Sequence, residues 1–91
     1  MNLYVISGAT GMTGNELSRQ LTKRGQKVIG FDNFFASSIN TVKDIVDNEL
    51  FEFHEYDINS SEQMTELKNE IISVKDNYDK IIYINCAAVV H

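Results

Sequence analysis

The sequence has no proline, no tryptophan and a single cysteine, Cys86, among its 91 residues. The lack of proline excludes a proline-rich linker, and a lone thiol allows neither an internal disulfide nor a cysteine-based zinc spacing. Long hydrophobic runs are also missing, since the apolar stretch near the amino terminus spans only a few residues and no basic segment precedes it. We therefore expect neither a signal peptide nor a membrane span, and a reducing cytoplasm fits.

Basic residues are few as well. Eight lysines and arginines stand against thirteen aspartates and glutamates, which gives a formal net charge of -5. Because no basic patch is visible, nucleic acid and anionic membrane are not expected as partners. Any affinity for phosphate must therefore be local and supplied by backbone amides. The length allows one small domain, residues 1–91.

What the sequence does contain is a turn with three glycines, Gly8, Gly11 and Gly14, directly after the apolar run Leu3–Ile6. Between a strand and a helix, Gly8 would permit a tight turn, Gly11 a close approach of pyrophosphate, and Gly14 close packing of the helix. The first amides and the dipole of that helix would favour an anion. The first gap is one residue longer than in the usual dinucleotide fingerprint, so an ordinary glycine-rich turn is the alternative.

A carboxylate follows the second apolar run, Val28–Phe31. Asp32 lies near the offset of roughly 20 residues at which an acid accepts hydrogen bonds from the adenosine ribose. Such an acid would repel a 2′-phosphate, so NAD is expected rather than NADP. The alternative is that Asp32 only caps a turn.

Hydrophobic patterning predicts four strands and three helices. The strands are expected at residues 2–7, 28–31, 51–56 and 81–84. The helices are expected at residues 12–24, at a short segment after Ser38 with apolar positions Ile39, Val42, Ile45 and Val46, and after a Ser60-x-x-Gln63 capping box, with an apolar face of Met64, Leu67, Ile71, Ile72 and Val74. The third strand alternates as an edge strand does. Its His54 has no histidine or cysteine nearby at metal-binding spacing, so a surface position and no metal site are predicted.

This order of elements predicts an α/β fold, the first half of a Rossmann-like doubly wound parallel sheet with strand order 3-2-1-4. The first and fourth strands would then flank the topological switch point. The glycine turn and residues 85–88 should therefore meet at one crevice, with Asp32 and Asp57 along its adenosine side.

Four segments, residues 7–14, 32–34, 57–58 and 85–88, together resemble the N-terminal half of an extended short-chain dehydrogenase/reductase of the NAD-dependent nucleotide-sugar epimerase/dehydratase group. The resemblance covers the whole chain. It implies that Met12 and Thr13 offer amides to the pyrophosphate and that Asp32 holds the ribose. Other residues would border the adenosine or line the path to the nicotinamide. The cofactor-binding residues expected in all are Gly8, Gly11, Met12, Thr13, Gly14, Asp32, Asn33, Phe34, Ser37, Asp57, Ile58, Cys86, Ala87 and Ala88.

The same resemblance implies a catalytic tyrosine with a lysine four residues later, which makes the phenol acidic. None of the four tyrosines here, Tyr4, Tyr56, Tyr78 and Tyr83, has a lysine at that position. No catalytic residue is assigned, and residues 1–91 are interpreted as an incomplete NAD(P)-binding domain whose catalytic pair and substrate lobe lie beyond His91.

The expected function is therefore the NAD-binding portion of a nucleotide-sugar epimerase or dehydratase that acts by transient hydride transfer. A nucleotide sugar would be the substrate only of the complete parent enzyme. The alternatives are a non-catalytic dinucleotide-binding or redox-sensing module, and a truncated remnant. The apolar fourth strand, as an uncovered sheet edge, predicts self-association.

Overall fold

The computed structural model describes residues 1–33 and 38–87, and its strands alternate with helices along the chain. Within these described ranges, two helices and four strands make up the regular structure, with 3₁₀ turns at Ile39–Val42 and Lys75–Asn77. The elements are β1 (Leu3–Ser7), α1 (Met12–Lys23), β2 (Lys27–Asp32), β3 (Phe51–Glu55), α2 (Ser61–Val74) and β4 (Ile81–Asn85).

All four strands are parallel and lie in the order β3-β2-β1-β4, which confirms the predicted sheet. The register pairs Ser7 of β1 with Phe31 of β2 and with Asn85 of β4. The carboxyl ends of β1, β2 and β4 therefore lie side by side at the same edge of the sheet. Among the described residues, no helix is long and apolar enough to cross a membrane.

The two central strands are buried on both faces, as their continuous apolar runs predict. On one face, Ile6 and Val28 pack with Leu21 of α1. On the other face, Val5 and Ile29 pack with Leu67 of α2, which is 4% exposed. This three-layer arrangement fixes the positions of the turns that follow β1 and β2.

The helix predicted after Ser38 is shorter in the structure than the sequence pattern indicated. Only a 3₁₀ turn forms, and Ser38 caps it by accepting a hydrogen bond from Asn40 N at 3.3 Å. Val42 and Ile45 are buried, whereas Ile39 and Val46, predicted to share their face, are 40% and 39% exposed. A spacing of three residues matches the period of a 3₁₀ helix as well as that of an α-helix, so the pattern did not separate them.

The capping box of α2 is confirmed in one of its two hydrogen bonds. Ser60 Oγ accepts from Gln63 N at 3.2 Å, but Gln63 Oε1 accepts from Asp57 N at 2.7 Å rather than from Ser60 N. Gln63 thus ties α2 to the end of β3. Ile72 is 51% exposed and does not belong to the predicted apolar face.

Candidate functional site

The turn after β1 needs glycine at position 8 for two reasons. Gly8 has φ 68°, which side chains disfavour. A Cβ atom at this position would also stand 2.6 Å from Ala87 N and from Cys86 C. The turn after β1 and the turn after β4 therefore lie directly against each other at the carboxyl end of the sheet, as the strand order requires.

Glycine is needed at position 14 because α1 packs closely there. The close contact is with the glycine turn rather than with β1. A Cβ atom at Gly14 would overlap Gly8 O and would lie 2.9 Å from Ala9 Cα. At Gly11 a Cβ atom would meet only Gly8 O, at 3.3 Å. The first turn of α1 therefore rests on the glycine turn, and the backbone at Gly11 remains open.

In the part of the chain that the structure describes, no side chain caps the amino terminus of α1. Gly11 occupies the N-cap position with extended backbone angles, and no acidic residue lies in the first helical turn. Among the described residues, the first amide of this helix that donates to a backbone carbonyl is that of Asn15, which reaches Gly11 O at 2.9 Å. The preceding amides of Met12 and Thr13 are on exposed residues. These donors and the positive end of the helix dipole suit an anion.

Asp32 stands at the end of β2 and is held by the glycine turn itself. Its Oδ2 accepts hydrogen bonds from Thr10 N at 3.1 Å and from Thr10 Oγ1 at 2.6 Å. Thr10 is fully buried, and its carbonyl accepts a hydrogen bond from Thr41 Oγ1 at 2.6 Å. Sequence reasoning missed Thr10, because nothing in a run of residues shows that this hydroxyl faces an acid 22 positions later.

Asn85 organises the turn after β4. Its Oδ1 accepts hydrogen bonds from Ser7 Oγ at 2.6 Å and from Ala87 N at 3.1 Å, and Cys86 N donates to Ser7 O at 3.0 Å. Cys86 is partly buried, and this burial raises the pKa of its thiol. The thiol is consequently neutral near pH 7 and suits a packing role better than a nucleophilic one.

The predicted adenosine-side residues lie further out along the sheet. Asp57 follows β3, and its Oδ1 accepts a hydrogen bond from Asn59 N at 2.8 Å at the entry to α2. Ile58 is 39% exposed, and Asn33 is exposed just beyond β2. Three other predicted residues, Phe34, Ser37 and Ala88, lie outside the described residues.

The structure thus brings the three glycines, Met12, Thr13, Asp32, Cys86 and Ala87 to one end of the sheet, between the ends of β1, β2 and β4. Asp57 and Ile58 stand at the same end of the sheet, one strand beyond β2. An open parallel sheet in this order, with a glycine turn entering its first helix, defines a Rossmann-type doubly wound domain.

A family model described as the NAD dependent epimerase/dehydratase family matches residues 4–90. The chain belongs to this family. The match spans nearly all of the sequence, including the glycine turn and every strand except the first residue of β1.

Individual relatives are similar over most of this chain but are much longer. A curated protein from Escherichia coli O111:H-, described as an uncharacterized 37.6 kDa protein in the cld 5′ region, is 31% identical over an alignment of 68 residues. The alignment covers 70% of this chain and 20% of that protein. The chain therefore spans about a fifth of the length of this relative.

Solved structures show the same fold. The dTDP-glucose 4,6-dehydratase from Bacillus anthracis, in complex with NAD, matches with a TM-score of 0.75 and 25% identity over 98% of this chain and 27% of its own. A 4-hydroxyisoleucine dehydrogenase complexed with NADH also matches with a TM-score of 0.75, at 20% identity over 98% of this chain and 35% of its own.

Proposed function

We propose that this chain is the NAD-binding portion of a nucleotide-sugar epimerase or dehydratase. The observation that carries the proposal is the uncapped start of α1: within residues 1–33 and 38–87, no side chain caps the amides after Gly11, and the first turn contains no acid. Family membership supports it, as does the likeness to a dehydratase solved with NAD.

The residues present fit a dinucleotide. Backbone amides of Met12 and Thr13 would bind the pyrophosphate, and Gly11 leaves the space for it, since a Cβ atom there would meet only Gly8 O. The ribose of the adenosine would lie against Asp32. Asn33, Phe34, Ser37, Asp57 and Ile58 would border the adenosine, and Cys86, Ala87 and Ala88 would line the path to the nicotinamide.

The preference for NAD over NADP would come from Asp32. Thr10 holds the carboxylate at the end of β2 through two hydrogen bonds to Oδ2, so the acid is fixed rather than free to turn away. A fixed negative charge repels a 2′-phosphate, whereas it accepts hydrogen bonds from ribose hydroxyls.

These residues bind and orient the cofactor and do not themselves move a proton. The bound nicotinamide would supply a hydride acceptor and donor for a sugar carbon. The tyrosine and lysine that would exchange the proton are not paired within these 91 residues. We therefore place the proton-transfer pair and the nucleotide-sugar lobe in a part of the parent enzyme outside residues 1–91, which cover 27% of the similar dehydratase.

Titration with NAD and NADP by isothermal calorimetry tests this function. We expect the unmodified chain to bind NAD more tightly than NADP, and Asp32→Ala to weaken NAD binding and to reduce the preference. Asp47→Ala, which removes an exposed acid on the loop before β3, is the matched control and should bind as the unmodified chain does. A chain that binds neither dinucleotide would contradict the proposal, and tighter binding of NADP would contradict the role of Asp32.

We further propose that the chain self-associates through β4. Tyr83 is 54% exposed and Ile81 is 40% exposed on one face of this edge strand, and no charged residue interrupts it. Apolar edge strands without charge or proline pair readily with other chains. Sedimentation should detect dimers or larger species that Tyr83→Lys reduces, whereas a concentration-independent monomer would contradict the proposal.

A further inference from the structure

Three side chains with metal-binding groups converge on the face of the sheet that α2 covers. Glu52 and His54 are two residues apart on β3, so their side chains lie on the same face of the sheet. Glu70 reaches them from α2. His54 Nε2 lies 2.8 Å from Glu52 Oε2 and 3.1 Å from Glu70 Oε2. The three ligand atoms all lie within 4.8 Å of one another. This cluster is on the opposite face from α1 and its glycine turn.

The hydrogen of His54 Nε2 cannot by itself serve both carboxylates. A single imidazole nitrogen carries at most one hydrogen, yet two carboxylates face the same Nε2. Within residues 1–33 and 38–87, the salt bridges of Glu52 and Glu70 go to His54 alone. The two carboxyl groups also hydrogen-bond each other, so all three side chains meet at one point. A cation placed among them would bind all three groups.

The geometry suits a metal ion. Metal bonds of about 2.0–2.2 Å to histidine nitrogen and carboxylate oxygen place the ligand atoms of a tetrahedral site about 3.3–3.6 Å apart. The distances of 2.8 and 3.1 Å from Nε2 would need to widen only by a few tenths of an ångström to admit an ion. The His54 ring stacks on Tyr56, with centroids 4.9 Å apart and an interplanar angle of 4°, which fixes the ring plane. The side chains are a quarter to about a third exposed, so an ion and its water ligands can reach them.

We propose that Glu52, His54 and Glu70 form a binding site for a divalent transition-metal ion, with Zn²⁺ as its occupant and water completing the coordination. One imidazole and two carboxylates suit Zn²⁺, whereas Mg²⁺ prefers oxygen ligands alone. Since β3 is an edge strand, the ion would fasten it to α2. The site is separate from the proposed cofactor site and does not depend on NAD.

The sequence prediction of no metal site considered only spacing along the chain. His54 has no other histidine or cysteine close in sequence, and Glu70 is 16 positions away on a different element. The fold makes them neighbours. The one local signal was Glu52, two residues before His54 on an alternating strand, and two ligands alone do not define a site.

The test is titration of the full 91-residue chain with Zn²⁺, without a polyhistidine tag and in buffer free of chelators. We expect one ion per chain and a rise in melting temperature, because an ion that binds only the folded state stabilises it. His54→Gln and Glu70→Gln should each weaken binding at least about tenfold, the effect of a loss of about 1.4 kcal/mol. Mg²⁺ should not compete.

Matched controls separate this site from other donors. His91→Gln removes the only other histidine, and Glu62→Gln removes an exposed acid from the first turn of the same helix. Cys86→Ser removes the only thiol. All three should retain Zn²⁺ binding. Binding that survives both His54→Gln and Glu70→Gln, or that is lost in any control variant, would overturn the proposal.

A spectroscopic measurement makes the result independent of stability. X-ray absorption of the Zn²⁺-loaded chain should show one imidazole with oxygen ligands and no sulfur. A shell with sulfur, or one without imidazole, would overturn the assignment even if the ion bound tightly. Melting curves of each variant without metal show whether a lost thermal shift reflects lost binding or a changed fold.

Discussion

The two helices of this domain begin in opposite ways. At the start of α2, Ser60 Oγ accepts a hydrogen bond from Gln63 N, and Glu62 supplies a negative charge to the first turn. At the start of α1, Gly11 offers no side-chain cap, and the first turn has no acid. Both helices leave the carboxyl end of the same parallel sheet. The difference therefore does not come from the topology.

An uncapped helix start leaves donors unsatisfied and a partial positive charge uncompensated, so it lowers stability unless a ligand supplies what is missing. The start of α2 supplies both from its own sequence. We infer that the start of α1 is left uncapped for an external anion, which is the role proposed for it above.

The largest effect that separates the two helix starts is expected from Gly14→Ala. The added Cβ would overlap Gly8 O, a backbone atom that cannot move aside without shifting the turn. Overpacking of this kind costs about 1–3 kcal/mol or more, so both the free energy of unfolding in urea and NAD affinity should fall.

Gly11→Ala is the matched control at the same turn. Its Cβ would meet only Gly8 O, at 3.3 Å, a tight contact but not an overlap, so the free energy of unfolding should fall by less than in Gly14→Ala. The pyrophosphate would nevertheless lose its closest approach. Stability that falls equally in both variants would contradict the assignment of separate roles to these two glycines.

A smaller effect, confined to the other helix, is expected from Ser60→Ala. Loss of the cap of α2 should lower the free energy of unfolding by about 1 kcal/mol, measured by urea denaturation, and should leave the intrinsic NAD affinity unchanged. Ser61→Ala is the control, because the hydrogen bond that Ser61 accepts, from Thr65 Oγ1, is made by its backbone oxygen and survives the substitution. A clear loss of NAD affinity in folded Ser60→Ala would contradict the separate roles of the two helix starts.

Sequence patterns predicted the sheet and the helix starts because these depend on local chemistry. The continuous apolar runs of β1 and β2 identify central strands, and the serine at position 60 identifies a helix start. The segment after Ser38 was mistaken for a longer helix because Ile39, Val42 and Ile45 are three residues apart, whereas the 3₁₀ turn ends at Val42. A spacing that satisfies two periods does not choose between them.

The hydrogen bonds that hold the candidate site in place could not be predicted from the sequence, for a different reason. The hydrogen bonds from Thr10 to Asp32 and from Ser7 to Asn85 join residues that are far apart in the chain. Only strand register brings them together, and register is a property of the folded sheet. The motif therefore predicted where a cofactor would bind but not which polar side chains fix the turns that would hold it.

Met12→Asp is expected to change stability and NAD affinity in opposite directions. An acid in the first turn of α1 should compensate the helix dipole and stabilise the free chain by about 0.3–1 kcal/mol. The same charge would repel the pyrophosphate, so NAD affinity should fall. Met12 is 88% exposed, so packing loss is small, and Met12→Asn gives the uncharged comparison. Urea denaturation and calorimetry should move in opposite directions, whereas a gain in both would contradict an anion site at this helix.

The smallest effect concerns Cys86, whose backbone lies against Gly8. A thiol at a helix amino terminus has a lowered pKa, yet the pKa of Cys86 is raised by burial, so this thiol does not share the positive end of α1. Its folded pKa lies above the unfolded value, so its contribution to stability is complete below the unfolded pKa of about 8.5. That contribution should decline as pH rises through the folded pKa. Urea denaturation from pH 7 to 10 should show this decline relative to Cys86→Ser, and a difference that grows in favour of the unmodified chain would place the thiolate at the α1 anion site instead.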